Sequence, residues 1–312
     1  MKTFAGVDIG GTRVKLGLLH QNELVAKHTF DVKNQESLEA NLPLIADQIN
    51  ELAAQSGLEG TIKGVGLAIP SVVDSENLKI LSNYVKYSDA SSLDLAAWAM
   101  QNWQAKLALE NDARAALVGE CALGAGIGSK YVIMVTIGTG IGSAVMIDGH
   151  VIRGKHHLAG NLGGHMSVDY AGPRCNCGDI GCLEAVASSW ALPEIIRQHP
   201  DIEFSSLRDE PLLDFERLFH HSSNGDLVAG SIVKHCLQVW AIGLKNLVYA
   251  FDPEKIILAG GVLAQGRSII NYFQEQIDDA AWLPAGSVEI VAAIAPDWAG
   301  VSGAAYLAQS KM

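Results

Sequence analysis

Two segments of the chain share one arrangement, in which a glycine turn joins two apolar runs. The first covers residues 3–19 and reads TFAGVDIGGTRVKLGLL, and the second covers residues 130–147 and reads KYVIMVTIGTGIGSAVMI. Two apolar runs joined by such a turn predict a β-hairpin. A hairpin unit that occurs twice predicts two lobes of similar build. The 312 residues, 49% of them hydrophobic, are enough for two cores.

Around the hairpins, strand-like and helix-like runs alternate, which predicts an α/β fold. We expect a smaller lobe of residues 1–120 plus 300–312 and a larger lobe of residues 121–299, with a cleft between them. The last helix is expected to pack onto the first lobe. Further strands are predicted at residues 23–29, 63–70, 106–110, 255–258 and 288–294, and helices at residues 38–54, 93–103, 184–198, 212–219, 226–251 and 300–309.

The charge of the chain argues against a nucleic-acid partner. Lys and Arg number 22 and Asp and Glu number 34, which gives a net charge of −12, and no basic run or basic helix face is present. No basic-then-apolar segment precedes the first strand-like run, and no apolar stretch is judged long enough to cross a bilayer. We therefore expect a soluble cytoplasmic protein without a membrane or nucleic-acid partner.

The segment of residues 160–184 contains a clustered set of potential metal ligands. His165, Cys175, Cys177 and Cys182 form an H-x9-C-x-C-x4-C pattern beside glycines. Such soft and borderline ligands in a short loop predict a closed tetrahedral Zn²⁺ site. Disulfides or buried free thiols are the alternatives, but cytoplasmic thiols are kept reduced, so clustered cysteines there more often bind metal. The two isolated cysteines, Cys121 and Cys236, are expected to be small buried hydrophobes.

The two glycine turns have the chemistry of an anion site. Asp8 ends the first apolar run and is followed by the turn Gly10-Gly11-Thr12. Free turn N–H groups can face an anion, and a carboxylate beside them can hold a metal or orient water. An ordinary hairpin with a solvated aspartate is the alternative. The second turn, residues 138–142, favours the first interpretation, because two similar turns could hold the phosphates of one nucleotide.

Two other phosphate-binding motifs do not fit the chain. A dinucleotide fingerprint needs a helix after its glycines, whereas the strand-like run SAVMI follows residue 142. No glycine pair is followed by Lys-Ser or Lys-Thr, so the Walker loop is absent from the sequence.

Several polar residues stand where strands or loops end. Asn111 and Asp112 follow an apolar strand, the usual place for site residues in open α/β sheets. Asp112 could act as a general base, or the pair could simply cap the next helix. Asn83 could bind a hydroxyl or occupy a turn. Glu184, two residues after Cys182, would be fixed in space by a metal-held loop.

Taken together, the sequence closely resembles the ROK family, a bacterial group of sugar kinases and sugar-responsive repressors. The resemblance covers essentially the full length, and the C-x-C-G-x-x-G-C-x-E segment is its most specific part. The segments that carry it are DIGGTRVKLGL from Asp8, GLAIP from Gly66, ENDARAA from Glu110, TIGTGIGSAV from Thr136, the loop of residues 165–184 and ILAGGVL from Ile257.

The resemblance implies an actin/hexokinase-like (ribonuclease H-like) two-lobe fold that binds ATP and a sugar in the cleft. It also implies Mg²⁺ as a cofactor, a structural zinc held by the four ligands above, and a homodimer. By the same likeness Asp112 is the catalytic base. The implied sugar contacts are Asn83, Asn111, Asn161, His165 and Glu184. The implied nucleotide contacts are Asp8, Gly10, Gly11, Thr12, Lys15, Thr136, Gly138, Thr139, Gly140, Gly260 and Gly261.

The implied function is therefore ATP-dependent phosphorylation of a hexose or hexosamine, at the 6-hydroxyl, with N-acetylmannosamine or another amino sugar as the alternative substrate. A non-catalytic sugar-sensing regulator is a weaker alternative. Repressors of the family carry a helix-turn-helix before the first hairpin, and Asp8 lies too near the start of this sequence to leave room for one.

Two positions depart from the pattern of the family's kinases. Those kinases usually have the motif A-G-E-x-G-H, which ends at the first zinc ligand. This chain has Asn161 in place of the glutamate and one additional residue before His165. An amide both donates and accepts, whereas a carboxylate only accepts, so the substituent bound there is expected to differ from that of glucose. Ser71 stands where the family commonly has glycine.

Overall fold

The computed structural model describes residues 2–32, 36–82 and 87–311, except for the side chain of Ala280. Asn83 therefore lies outside the described residues. In the first part of the chain the helices and strands are β1 (Thr3–Ile9), β2 (Arg13–His20), β3 (Glu23–Asp31), α1 (Leu42–Gln55), β4 (Ile62–Ile69), β5 (Val73–Asp74), β6 (Lys79–Ile80), α2 (Leu95–Trp103), β7 (Lys106–Asn111) and α3 (Asp112–Leu123).

The second part continues with shorter helices after a second hairpin. Its elements are β8 (Val132–Ile137), β9 (Ile141–Ile147), β10 (His150–Val151), α4 (Leu183–Ala187), α5 (Leu192–Arg197), α6 (Phe215–Ser223), α7 (Leu227–Phe251), β11 (Lys255–Ala259), α8 (Arg267–Ala280), β12 (Glu289–Ala292) and α9 (Ala299–Ser310). Short 3₁₀ turns include Gly163–His165 and Gly261–Gln265.

The chain divides into two compact units. The first unit contains Met1–Gly128, Arg153–Ala159 and Ala293–Met312, and the second contains Ser129–Ile152 and Gly160–Ala292. Each unit has a five-stranded sheet, in the order β3-β2-β1-β4-β7 in the first and β10-β9-β8-β11-β12 in the second. In both sheets the hairpin is antiparallel and the next two strands are parallel to its first strand. The predicted hairpins and their common arrangement are therefore confirmed.

In the first unit, α9 packs against α3 and against the sheet, as predicted for the last helix. The two helices approach very closely at Gly119 and Gly303. A methyl group added at Gly303 would collide with the carbonyl of Ala115 and with the backbone N of Gly119. Only glycine therefore permits this approach. α9 in turn packs on β1 and β4, whose residues are almost all buried.

The core of the second unit is built around α7. Trp240 is almost fully buried, makes edge contacts with Phe215 and Phe273, and donates its indole N–H to Ala187 O at 2.7 Å. By length and composition alone α7 could cross a membrane, so the expectation that no stretch is long enough is wrong on that criterion. Half of the most apolar 18-residue stretch of α7 is buried inside the protein. We therefore assign it as a core helix.

One predicted helix is interrupted. Residues 184–198 were expected to form a continuous helix, but they form α4 and α5 with a break between Ala187 and Leu192. In this break the backbone N–H groups of Ser189 and Trp190 donate to the carbonyls of Gly138 and Thr139. These tertiary hydrogen bonds replace helical ones, and Pro193 then lies in the first turn of α5, where proline is tolerated.

Candidate active site

In the first unit, the carboxyl ends of three neighbouring parallel strands bring polar residues to one edge of the sheet. Asp8 on β1 is in register with Ala68 on β4, and Ile69 is in register with Asn111 at the end of β7. The side-chain amide of Asn111 donates to the carbonyl of Ser71, which follows β4, at 3.2 Å. Open α/β sheets bind ligands at this edge.

The neighbouring residues Asn111 and Asp112 have different positions at the start of α3. Asn111 is the N-cap of α3, and its Oδ1 accepts a hydrogen bond from the backbone N of Arg114 at 3.2 Å. Its Nδ2 donates to Oδ1 of Asp112 at 2.9 Å, and the same oxygen accepts from Ala113 N at 2.8 Å. The capping interpretation is therefore correct for Asn111. Asp112 is the first residue of the helix, and among the described residues its other carboxylate oxygen has no hydrogen-bond partner.

Both carboxylates at this edge are partly desolvated. Burial raises the pKa of Asp112 above its usual range, although hydrogen bonds from Ala113 and Asn111 oppose the shift. Burial, together with the charge of Asp112, raises the pKa of Asp8 to about 6, and Lys15 opposes that shift. Lys15 is opposite Asp8 in the hairpin register, and its Nζ donates to the carbonyl of Asp297 at 2.9 Å.

The first glycine turn, residues 10–12, has N–H groups available for an anion. Its ends are fixed, because Gly10 N donates to Arg13 O at 3.0 Å and the Tyr87 hydroxyl donates to Gly10 O at 2.8 Å. Within the described ranges, the backbone N–H groups of Gly11 and Thr12 have no protein acceptor. Consecutive free N–H groups at a turn are a common form of anion site.

The second glycine turn, Gly138–Gly140, lies between β8 and β9 in the second unit. Gly138 N donates to Gly140 O at 3.0 Å, and the carbonyls of Gly138 and Thr139 accept from Ser189 N and Trp190 N. In the part of the chain that is described, the N–H groups of Thr139 and Gly140 have no protein acceptor. Both turns therefore offer the same kind of free donor. Thr136 lies on β8 just before this turn.

The four predicted metal ligands lie together. The donor atoms of His165, Cys175, Cys177 and Cys182 all lie within 4.8 Å of one another. Cys175 Sγ is 3.5 Å from His165 Nδ1, and Cys177 Sγ is 3.6 Å from Cys182 Sγ. A tetrahedral zinc with Zn–S bonds of about 2.3 Å needs sulfur separations of about 3.8 Å, whereas a disulfide needs about 2.05 Å. The cysteines are free and spaced as metal ligands, so the disulfide alternative is not observed here.

Burial opposes ionisation of one of these thiols in the absence of a cation. Burial and the neighbouring thiols raise the pKa of Cys182 to about 12. Metal ligation requires the thiolate, and a divalent cation would stabilise it in this position. The loop itself is held by backbone hydrogen bonds, including Cys175 N to Asp179 O at 2.8 Å.

Asn161 lies on a loop segment that is fixed to β9. The buried hydroxyl of Ser143 donates to Gly160 O at 2.6 Å and accepts from Gly163 N at 2.9 Å. Gly164 packs so closely on the carbonyl of Ile141 that a methyl group would not fit. The predicted sugar-contact segment and the start of β9 are therefore rigidly connected within the second unit.

Glu184 lies beside the second turn. Its Oε2 accepts from Ile141 N at 2.7 Å, and its Oε1 accepts from Trp190 Nε1 at 3.1 Å. Trp190 was not identified from the sequence as a site residue, because SSWAL fits an apolar helix face equally well. Ser143 and Tyr87 were missed for a similar reason, since nothing in their local sequence indicates their long-range partners.

Gly260 and Gly261 follow β11, and Gly261 lines a cavity of about 680 Å³ in the second unit. One side of this cavity is formed by Gly261 and Gln265, and the other by Glu216, His220 and Ser223 of α6. A ligand pocket of this size is typical of small-molecule sites. Of the two glycines predicted for the adenosine region, Gly261 therefore borders a cavity that a nucleoside could enter.

The two glycine turns, the carboxylates at the strand ends and the Cys/His loop on a two-lobe α/β fold define a protein of the actin/hexokinase-like class. The structure of a ROK hexokinase from Thermus thermophilus matches with a TM-score of 0.82 at 27% identity, covering 99% of this chain and 98% of that one. The chain belongs to the ROK family, whose sequence model matches residues 4–311.

Two further relatives carry functional information. A glucokinase from Thermotoga maritima is 31% identical over 315 residues, covering 98% of this chain and 97% of that protein. A ROK family glucokinase from Streptomyces griseus, solved in complex with glucose and AMPPNP, matches with a TM-score of 0.74 at 26% identity, covering 99% of each chain.

Proposed function

We propose that this protein phosphorylates a hexose or hexosamine at its 6-hydroxyl and that Asp112 is the general base. Its class is that of an ATP-dependent sugar kinase, supported by the glucokinase from Thermotoga maritima and by the glucose and AMPPNP complex of the Streptomyces griseus enzyme. The observation that carries the proposal is the position of Asp112. Its carboxylate is partly desolvated at the ends of parallel strands and is oriented by Asn111 and Ala113.

In the proposed reaction, Asp112 accepts the proton of the sugar hydroxyl. The hydroxyl oxygen then attacks the γ-phosphorus in line, the bond from that phosphorus to the bridging oxygen breaks, and ADP leaves with the electron pair. A raised pKa makes the carboxylate a stronger base toward the sugar hydroxyl. Asn111 holds the carboxylate in one orientation, which reduces the entropic cost of proton transfer.

The phosphates are assigned to the two glycine turns. The free N–H groups of Gly11, Thr12, Thr139 and Gly140 are the donors that would bind phosphoryl oxygens. This arrangement explains how a protein of net charge −12 can bind a polyanion, because backbone donors need no basic side chains. Adenosine is assigned to the cavity beside Gly261.

Two metal ions are part of the proposal. Mg²⁺ fits beside Asp8, because a divalent cation would offset the burial and the nearby Asp112 charge that raise the pKa of Asp8. Zinc fits the loop of His165 and the three cysteines, where four protein ligands leave no open position and therefore indicate a structural role. When bound, Mg²⁺ neutralises charge on the phosphates, and zinc holds the loop in one conformation.

Sugar recognition is assigned to Asn111, Asn161, His165 and Glu184, with Asn83 as a further proposed contact. Because Asn161 replaces a carboxylate common in the family's kinases, we keep N-acetylmannosamine or another amino sugar as the second candidate substrate. A cytoplasmic location and a homodimer complete the proposal. A non-catalytic sensor is disfavoured, since the base and both turns are present.

A coupled assay of ADP formation tests the proposal. ATP and Mg²⁺ are supplied with a panel of hexoses, hexosamines and N-acetylhexosamines, and the Asp112→Asn variant serves as the negative control. We expect ADP formation that depends on one sugar of the panel and is lost in the variant. Binding of a sugar without turnover in the wild-type protein would instead favour the sensor.

A further inference from the structure

Both carboxylate oxygens of Glu184 accept hydrogen bonds. One donor directly follows the second turn, and the other belongs to a residue that also contacts this turn. Oε2 accepts from the backbone N–H of Ile141, the residue that follows Gly140, and Oε1 accepts from the Trp190 indole N–H. There is no space for a side chain at Gly140. A methyl group added there would collide with the Glu184 carboxylate, so the turn lies directly against this side chain.

Trp190 contacts the same turn from its backbone. Its N–H donates to Thr139 O at 3.1 Å, beside the bond from Ser189 N to Gly138 O at 3.0 Å. A peptide unit whose carbonyl is held on one side presents its N–H groups in a fixed direction on the other. The Trp190 backbone N–H therefore orients the free N–H of Gly140, and the Ser189 N–H orients the free N–H of Thr139. Glu184 fixes the next peptide N–H, that of Ile141.

The side chain of Trp190 also contacts the Cys/His loop. Its ring packs on a buried cluster formed by Cys175, Cys182 and Ala185. Cys182 is also the N-cap of α4, whose second residue is Glu184. One residue thus contacts the loop of the candidate metal ligands through its ring and the turn that would hold phosphate through its backbone N–H.

We infer that Trp190, with Glu184, is a positioning residue for the second turn and that it couples the Cys/His loop to nucleotide binding. This inference rests on the proposed function, because it assumes that the turn binds ATP phosphates. It assigns to Trp190 a larger effect on the KM for ATP than on the KM for sugar, although its partner Glu184 is also a proposed sugar contact. Because coupling between two sites is reciprocal, nucleotide binding must also stabilise metal in the loop.

The first test is Trp190→Phe, which keeps an apolar ring and removes the indole N–H. We expect the KM for ATP to rise about tenfold, because the variant loses one hydrogen bond to a charged group. The changes in kcat and in the KM for sugar should be smaller. The matched control is Trp282→Phe, because Trp282 is 80% exposed. An unchanged KM for ATP, or an equal rise in both KM values, would contradict the inference.

A second pair of variants leaves Trp190 in place. Gly140→Ala introduces a methyl group into the Glu184 carboxylate, whereas the same substitution at Gly142 meets no atom within 4 Å. Gly140→Ala should raise the KM for ATP, and Gly142→Ala should not. Equal KM values for the two variants would show that the contact with Glu184 does not orient the turn.

The coupling has a readout that does not need turnover. Zinc release from the purified protein into a chromogenic chelator is followed with and without AMPPNP and Mg²⁺. AMPPNP should slow release severalfold in the wild-type protein, and this effect should be absent in Trp190→Phe. If AMPPNP does not bind at all, the proposed function fails. If it binds but release is unchanged in the wild-type protein, the proposed function stands and the coupling is refuted.

Discussion

The side-chain amide of Asn111 donates to the carboxylate of Asp112 at 2.9 Å, while its oxygen caps the helix that Asp112 begins. One residue thus fixes the backbone that carries the proposed base and also the orientation of its carboxylate. A cap normally contributes only to helix stability. Here the cap and the base are adjacent residues, so the two contributions can be separated by substitution.

Asp112→Asn is expected to reduce turnover by a factor of about 10² to 10⁴, the range for a general base. Sugar binding measured by calorimetry should change little, because an amide is of similar size and can still accept from Ala113 N. The matched control is Asp94→Asn, since Asp94 is a helix N-cap that accepts from Ala97 N. Turnover above a tenth of the wild-type rate in Asp112→Asn would mean that Asp112 is not the base.

Asp8→Asn is expected to stabilise the ligand-free protein at pH 8 and not at pH 4. The folded pKa of Asp8 is about 6 and its ordinary value is 3.8, so the folded protein binds the extra proton and stability falls as the pH rises between these values. The gain at pH 8 is at most about 3 kcal/mol. Urea unfolding of both proteins at the two pH values measures it.

The control for this substitution is Asp31→Asn, because the Asp31 side chain is 82% exposed on β3. It should show no comparable gain at pH 8. If Asp8→Asn is no more stable than the wild-type protein at pH 8, then the carboxylate is better solvated or better paired than the structure indicates.

Cys177→Ser is expected to abolish zinc binding and lower the unfolding temperature by several degrees, because a structural zinc contributes directly to folding. Cys177 is exposed, whereas Cys175 and Cys182 are buried. The substitution therefore removes a ligand without opening a cavity. Zinc content by mass spectrometry of metals and thermal unfolding report the effect, with Cys121→Ser as the control. A zinc-free variant that unfolds at the wild-type temperature would exclude a structural role.

Asn161→Glu is expected to shift the ratio of kcat/KM values toward glucose and away from amino sugars. The backbone around this residue is held by Ser143, so the new carboxylate should occupy the place of the amide and accept from a sugar hydroxyl. The sugar panel assay measures the ratio. An unchanged profile would place Asn161 outside the sugar site, and Asn102→Glu on the exposed face of α2 controls for the added charge.

Gly303→Ala and Gly230→Ala are expected to have opposite effects on stability. Alanine in a helix interior is normally favoured over glycine by about 1 kcal/mol, and at Gly230 on α7 the nearest atom to the new methyl group is 3.7 Å away. At Gly303 the methyl group would collide with the backbone of α3. Urea unfolding should therefore show a small gain at Gly230 and a loss of several kcal/mol at Gly303. A gain at both sites would contradict the close packing of α3 and α9.

Local pattern predicted the elements well where local forces decide them. The two hairpins were confirmed because apolar runs and a glycine turn specify that structure almost without tertiary context. The helix over residues 184–198 was wrong because its helical preference competes with two hydrogen bonds to the carbonyls of Gly138 and Thr139. No periodicity in the sequence indicates a partner about 50 residues away.

The same division applies to the candidate site. Residue identity and spacing in the Cys/His loop are local properties, so the four candidate ligands could be predicted from sequence, and their clustering is confirmed. Asn111 and Asp112 could be predicted as strand-end residues, but which one caps the helix is set by backbone geometry. The role of Trp190 could not be predicted, because its three partners are the turn, the Glu184 carboxylate and the cysteine cluster.

By itself the sequence determined the α/β class, the repeated hairpin and the family, because these depend on residue order and short-range spacing. Tertiary structure alone decided how Glu184 is used, since its carboxylate oxygens are occupied by Ile141 N and by the Trp190 indole. It also decided that α3 and α9 meet at Gly119 and Gly303. The physical reason is that hydrogen bonds and steric contacts between distant residues form only when the backbone has folded.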